Sequence, residues 1–194
     1  MVRGGFLFKG TTMDDRFSLV GFERQIDAID ETILRLMDSK ADLNRRPTPG
    51  SWSIAQCIHH LNLTTDAFLT AWRDAERVVL AGQGTESRPY GWFLRRMLWT
   101  MEPPYRMKTK TAKGFQPGEV DSGLFTLEAF RERQPLVKDA AREACGYDLT
   151  RSRVRSPFVS WMRYPLGFSF DLFAAHERRH LWQAGEIERV SLTG

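Results

Sequence analysis

Four stretches of this chain carry apolar side chains at alternating spacings of three and four, and no other feature limits its fold as strongly. Leu19, Phe22, Ile26, Ile29, Ile33 and Leu36 form the first stripe, and Ile54, Cys57, Leu61, Phe68, Trp72, Ala75 and Val79 the second. Leu127, Phe130, Gln134, Val137, Ala141 and Ala144 form the third. Leu172, Phe173, His176, His180, Ile187 and Val190 form the fourth, in a segment running from about residue 167 to 190. At about 100° per residue, this spacing gathers each set on one face of an α-helix. Asp14 or Asp15 is placed to cap the first helix and Ser51 or Ser53 the second, while Gly82 and Gly146 stop the second and third. Pro135 is expected to kink the third helix or break its first turns. The best strand candidate, RVRSPFVSWMRYP, holds two prolines and reads as a loop. The expected fold class is all-α: a four-helix bundle of up-down-down-up type.

The connections are unequal. Helices one and two are joined by a short proline-rich link, RRPTPG, whereas a long crossover from residue 82 to about 122 separates helices two and three. The crossover contains one helical-looking piece, GWFLRRMLWTM, and an irregular basic stretch, PPYRMKTKTAKGFQPGE. A link of this length in a compact domain is either a solvated connection or a functional element.

A chain of 194 residues is long enough to bury a core without metal or disulfide staples. Residues 14–194 are expected to form a single domain behind a poorly ordered extension at residues 1–13. The apolar part of MVRGGFLFKGTT, Phe6 to Phe8, is too short for a signal sequence, and Met13 is an alternative start. No apolar run approaches the roughly 18 residues of a membrane span, so no membrane association is expected. Two cysteines, Cys57 and Cys145, make no disulfide framework, which points to the cytoplasm. The net charge is +4, but the arginines are spread along the chain rather than gathered on one face, which disfavours nucleic acid as a partner.

The four histidines fall as two pairs on two helices. His176 and His180 lie within about 20–30° of the centre of the fourth stripe, with Arg178 on the opposite face and Glu177 and Arg179 on the flanks. Residues four apart have Cβ atoms roughly 5–6 Å apart, so both imidazoles can reach one metal. On the second helix His60 is about 100° from the stripe's centre, at the edge of the core face, and His59 is about 160° away, facing solvent. One histidine on an apolar face is ordinarily a packed core residue. Two that face each other in a core leave ring nitrogens in need of partners, which a metal supplies. The candidate ligands are therefore His60, His176 and His180; no residue is singled out as catalytic. Cys57, one turn before His60, reads as a small core residue.

His176 to His180 spell H-E-R-R-H, a match to the zinc-protease pattern in which Glu177 would be the general base. Only fourteen residues follow His180, and their carboxylates, Glu186 and Glu188, sit further along the same helix, where they cannot fold back onto a metal. Nothing upstream reads as a sheet for a peptide substrate. The protease reading is set aside.

The segments PGSWSIAQCIHHLNLT and HERRHLWQAGEIERV together resemble the DinB-like superfamily, also called the DinB/YfiT family, in its DinB_2 type. The family's first motif, approximately W-S-apolar-x-E/Q-x-apolar-x-H-L, is met by Trp52, Ser53, Ile54, Gln56, Ile58, His60 and Leu61. Its second, H-x-x-x-H followed by L and Q, is met by His176, His180, Leu181 and Gln183. The resemblance covers roughly residues 15–190. It implies a four-helix bundle with a divalent metal, zinc or nickel, on His60, His176 and His180, and an open position for water or substrate. It further implies a thiol-dependent S-transferase that uses a low-molecular-weight thiol on a small-molecule substrate, or a hydrolase, and a homodimer. Arg106, Lys108, Lys110 and Lys113 would be candidates to hold a carboxylate of the thiol. The alternative is a non-catalytic metal-binding or stress-associated protein of the same fold.

Overall fold

The structure is a computed structural model, and it describes residues 15–79, 84–104 and 110–193. Within them the chain is mostly helical, with five α-helices and one two-stranded sheet. The helices are α1 (Leu19–Met37), α2 (Ile54–Arg73), α3 (Trp92–Met101), α4 (Gly123–Ala144) and α5 (Leu166–Thr193). The strands are β1 (Arg153–Arg155) and β2 (Arg163–Pro165), and a single 3₁₀ turn occupies Lys113–Phe115. The expectations for residues 1–13, Asp14 and Gly82 lie outside the described residues.

The periodic stripes become the buried faces. Phe22, Ile26, Ile29, Ile33 and Leu36 of α1 are buried, as are Leu127, Phe130, Gln134, Val137, Ala141 and Ala144 of α4. Both α1 and α2 pack against α4 and α5. Ion pairs of Arg131 with Asp30, Lys138 with Asp27 and Arg142 with Glu23 run along the α1–α4 contact, and Arg133 with Asp66 links α4 to α2. An aromatic cluster fills one end of the core: Trp72 stacks on Phe170 at 4.3 Å between ring centres, and its indole N–H donates to Ser169 Oγ at 2.8 Å.

The helix ends differ in part from the expected ones. Ser18, not Asp15, caps α1, its hydroxyl accepting from the N–H of Gly21. Ser53 caps α2 in a full capping box with Gln56. That helix ends at Arg73, so Ala75 and Val79 lie beyond it, and Val79 is exposed in a bridge to Tyr147. Pro135 does not break α4, which runs from Gly123 through it; the ring removes only one ladder donor while tertiary packing holds both sides. Gly50 takes the positive φ of 80° that turns the chain into α2.

Two larger corrections concern α5. RVRSPFVSWMRYP is a hairpin rather than a loop, with Val154 opposite Tyr164. Its prolines cost no interior ladder bond, because Pro157 lies in the connection and Pro165 ends β2. The second correction is that α5 is buried nearly all round from Leu166 to Leu181, including Arg178 and Arg179, which the stripe placed on the solvent face and its flank. The cause is α3, the helical piece of the crossover, which packs on α5. Arg178 Nε donates to Glu102 Oε2 at 3.1 Å just past α3, and Arg179 donates to the Thr100 carbonyl at 3.1 Å.

Glu102→Ala would leave the Arg178 guanidinium, only 7% exposed, without its carboxylate. A loss of about 2–3 kcal/mol is expected, below the fully buried range because the Glu102 side chain is itself 24% exposed. Urea unfolding measures it, and a loss under about 0.5 kcal/mol would show that α3 is not held through this pair.

Candidate metal centre

His60 projects from α2, and His176 and His180 project one turn apart from α5; all three are buried, at 4%, 6% and 9% exposure. Each offers a ring nitrogen, and these ligand atoms lie within 4.8 Å of one another. The Nε2 atoms of His60 and His176 are 3.4 Å apart. Ring centres are separated by 4.4 Å for His60 and His180 and by 4.7 Å for His176 and His180. The three histidines singled out in the sequence are thus brought together. His59 is not in the group, but it is half-buried rather than solvent-facing, with its Nδ1 enclosed. The helix around it is tightly covered: every other residue from Ser53 to His60 is buried.

Two of the rings are oriented by carbonyl oxygens. His60 Nδ1 donates to the Phe115 carbonyl at 2.7 Å, and His180 Nδ1 donates to Gln183 Oε1 at 3.2 Å. Each bond assigns the proton to Nδ1 and leaves Nε2 as a lone pair. Sequence reasoning found Gln183 only as a motif letter, although its spacing of three from His180 is the signal for such a bond. The Phe115 carbonyl had no signal, since any residue type offers one. His176 Nδ1 is buried without a hydrogen-bond partner. Aromatic rings wall the cluster: Trp52 lies 5.2 Å from His60 and stacks at 6.0 Å on His180, and Phe158 lies 5.6 Å from His176.

Burial keeps all three imidazoles neutral. It is the first cause of the lowered His60 pKa, opposed by the Phe115 bond. His176 is pushed well below its ordinary value by burial, then by His180, His60 and Arg179. His180 is pushed down to about 3, by burial and then by His60. Neutral imidazoles with converging lone pairs are the form that binds a divalent cation, so the residues present fit a metal. Among the described residues, the group contains no Cys, Asp or Glu beside the three histidines.

Glu177 turns away from this group. It is fully buried, its Oε1 accepts from Thr65 Oγ1 at 3.4 Å, and burial pushes its carboxyl up to about 8 against the bonds from Gln134 and Thr65. Cys57 is a core residue whose thiol is raised far above its usual range by burial. Of the basic crossover residues, Lys110 and Lys113 are exposed, and Arg106 and Lys108 lie outside the described residues.

A family model described as the DinB superfamily matches residues 22–184. No curated protein and no solved structure matches the chain.

The buried titrating groups set opposing pH trends in metal-free protein. The histidines stay neutral in the fold but protonate near 6.5 when unfolded. The unfolded chain then binds more protons, and stability falls as pH drops below about 6.5. Glu177 keeps its proton up to about 8 in the fold and loses it near 4.5 unfolded, so it lowers stability as pH rises through that window. Urea midpoints in the presence of a chelator should therefore decline on both sides of a maximum. Glu177→Gln should remove the decline between about pH 6.5 and 8; an unchanged alkaline limb would assign that decline to another group.

Proposed function

The chain belongs to the DinB superfamily, and from that premise we propose that it binds one divalent metal ion on His60, His176 and His180 and uses it as a thiol-dependent S-transferase. The observation that supports this most is the convergence of three neutral imidazoles from two helices, two of them with Nδ1 already committed to a carbonyl. Zinc or nickel is the proposed ion, on the family resemblance and the borderline-soft imidazole set. When bound, such an ion supplies positive charge that makes a water or a thiol at the site more acidic. The chain's own part is to present three lone pairs, to accept the Nδ1–H hydrogen bonds of His60 and His180 at the Phe115 carbonyl and Gln183 Oε1, and to exclude bulk water with Trp52 and Phe158. The proposed reaction forms a bond between the sulfur of a low-molecular-weight thiol and an electrophilic carbon of a small molecule: the thiol gives up its proton to solvent, and the carbon releases its leaving group with the electron pair of the bond that breaks.

The arrangement we propose for α1, α2, α4 and α5 is the up-down-down-up bundle. Contacts between α2 and α5 run in opposite chain order, His60 with His176, Phe68 with Phe173 and Trp72 with Ser169. Those between α1 and α4 do likewise through Asp30, Asp27 and Glu23. Contacts of α2 with α4 run in the same order, Asn62 with Thr126 and Asp66 with Arg133. Residues 14–194 are proposed as one domain, and a homodimer is proposed from the family resemblance. No described helix is long and apolar enough to cross a membrane.

The low exposure of all three histidines favours a second reading, a non-catalytic metal-binding or stress-associated protein. Catalysis requires an exchangeable position, and a structural site does not.

Metal content by mass spectrometry tests the first step. About one ion per chain is expected in the parent and in His59→Ala, and loss of it in His60→Ala, His176→Ala and His180→Ala. A parent that cannot be loaded returns the histidines to core packing. In cobalt-loaded protein an added thiol should change the absorption spectrum; a spectrum unmoved by every thiol supports the non-catalytic reading.

A further inference from the structure

Among the described residues, one of the three histidines is oriented from outside the two helices that carry the cluster. His180 is held by Gln183 on its own helix, whereas His60 is held by the backbone carbonyl of Phe115 in the crossover. A backbone carbonyl stays in place only if the segment bearing it is held. The described residues show how that is done. Gln56 is buried at 5% exposure, one turn before His60 on α2. Its Oε1 accepts from the N–H of Ser53 at 3.2 Å and from Arg46 Nε at 3.1 Å. Its Nε2 donates to the carbonyl of Gly118 at 3.1 Å. Gly118 lies three residues after Phe115, so one stretch of crossover rests on α2 at two points, one on Gln56 and one on His60. Arg46 with Glu119 at 2.5 Å, and Asn44 with the Asp121 carbonyl at 3.4 Å, tie down its far end.

We propose that Gln56 is a positioning residue for the metal site: its amide NH₂ holds the crossover on α2 and so keeps the Phe115 carbonyl on His60, which makes crossover closure and metal affinity one linked equilibrium. The inference rests on the metal-binding reading above. The two ends of Gln56 are separable, because the capping box and Arg46 use only its oxygen and the crossover uses only its nitrogen. Gln56→Glu keeps acceptors for Ser53 and Arg46 and sets a carboxylate oxygen against the Gly118 carbonyl. Loss of an outer partner of a metal-bound histidine typically weakens metal binding about 10–100-fold. Linkage is reciprocal, so an ion that gains affinity from the closed crossover must also favour closure.

Zinc affinity is measured by competition with a chromophoric chelator, and trypsin cleavage after Lys113 is followed by mass spectrometry, for the parent and Gln56→Glu. Urea midpoints are recorded for both without metal. In the parent, zinc should slow cleavage after Lys113. Gln56→Glu should bind zinc about 10–100-fold more weakly and be cleaved faster without zinc, at a midpoint close to the parent's. Equal zinc affinity in the two proteins, or cleavage in the parent that zinc does not slow, overturns the inference and leaves the three-histidine site standing. A parent that binds no zinc overturns the metal-binding reading, and this inference with it. Should the Gln56→Glu midpoint collapse, Glu119→Gln takes its place, at a side chain 86% exposed whose loss cannot unfold the bundle. It must then show faster cleavage after Lys113, and an unchanged rate overturns the tether.

Discussion

Three imidazoles pressed together between α2 and α5, with less than a tenth of their surface left to water, set the terms for everything around them. A neutral imidazole has one donor and one acceptor, and both need partners once buried. His60 and His180 give their donors to carbonyl oxygens, which turns their lone pairs inward toward His176. Converging lone pairs in a site that burial keeps neutral favour a shared cation over a packed hydrophobic core. The aromatic rings of Trp52 and Phe158 seal this arrangement and add no competing polar group of their own beside it beyond the Trp52 indole.

The crossover serves the site from two sides. Its helix α3 packs on α5, where Arg178 and Arg179 meet Glu102 and the Thr100 carbonyl. Its 3₁₀ turn comes to α2 and reaches His60 through a main-chain oxygen. A single connection therefore covers part of α5 and orients His60 on α2. That dual contact gives a physical reason for a link this long in a chain of 194 residues.

What could be read from the sequence was what periodicity encodes. Buried stripes on α1, α2 and α4, the inward direction of His60, His176 and His180, and the Ser53 cap all follow from local spacing. What could not be read depends on elements distant in the chain. Arg178 looked solvent-facing because a charged residue opposite an apolar stripe normally is; the packing of α3 and a hydrogen bond to Gln25 of α1 change that. His59 looked exposed for the same reason and is half-covered. The hairpin escaped because each strand is three residues long, too short for alternation to show. The Phe115 carbonyl leaves no trace in residue identity at all.

The five letters H-E-R-R-H show how little a short motif says before its surroundings are known. In a zinc protease the glutamate must face the metal and act as a base. Here Glu177 faces Thr65 in the core and holds its proton up to about 8, so near neutral pH it is a protonated carboxyl and not the carboxylate a general base requires. The two arginines are tied to α3 and the end of that helix rather than to a substrate. The histidine that joins His176 and His180 in the group is His60 of α2, more than a hundred residues earlier, instead of a residue from downstream. A helix buried over most of its length needs partners for the polar residues it carries there. On α5 the polar side chains point in three directions, and the three-histidine group occupies one of them.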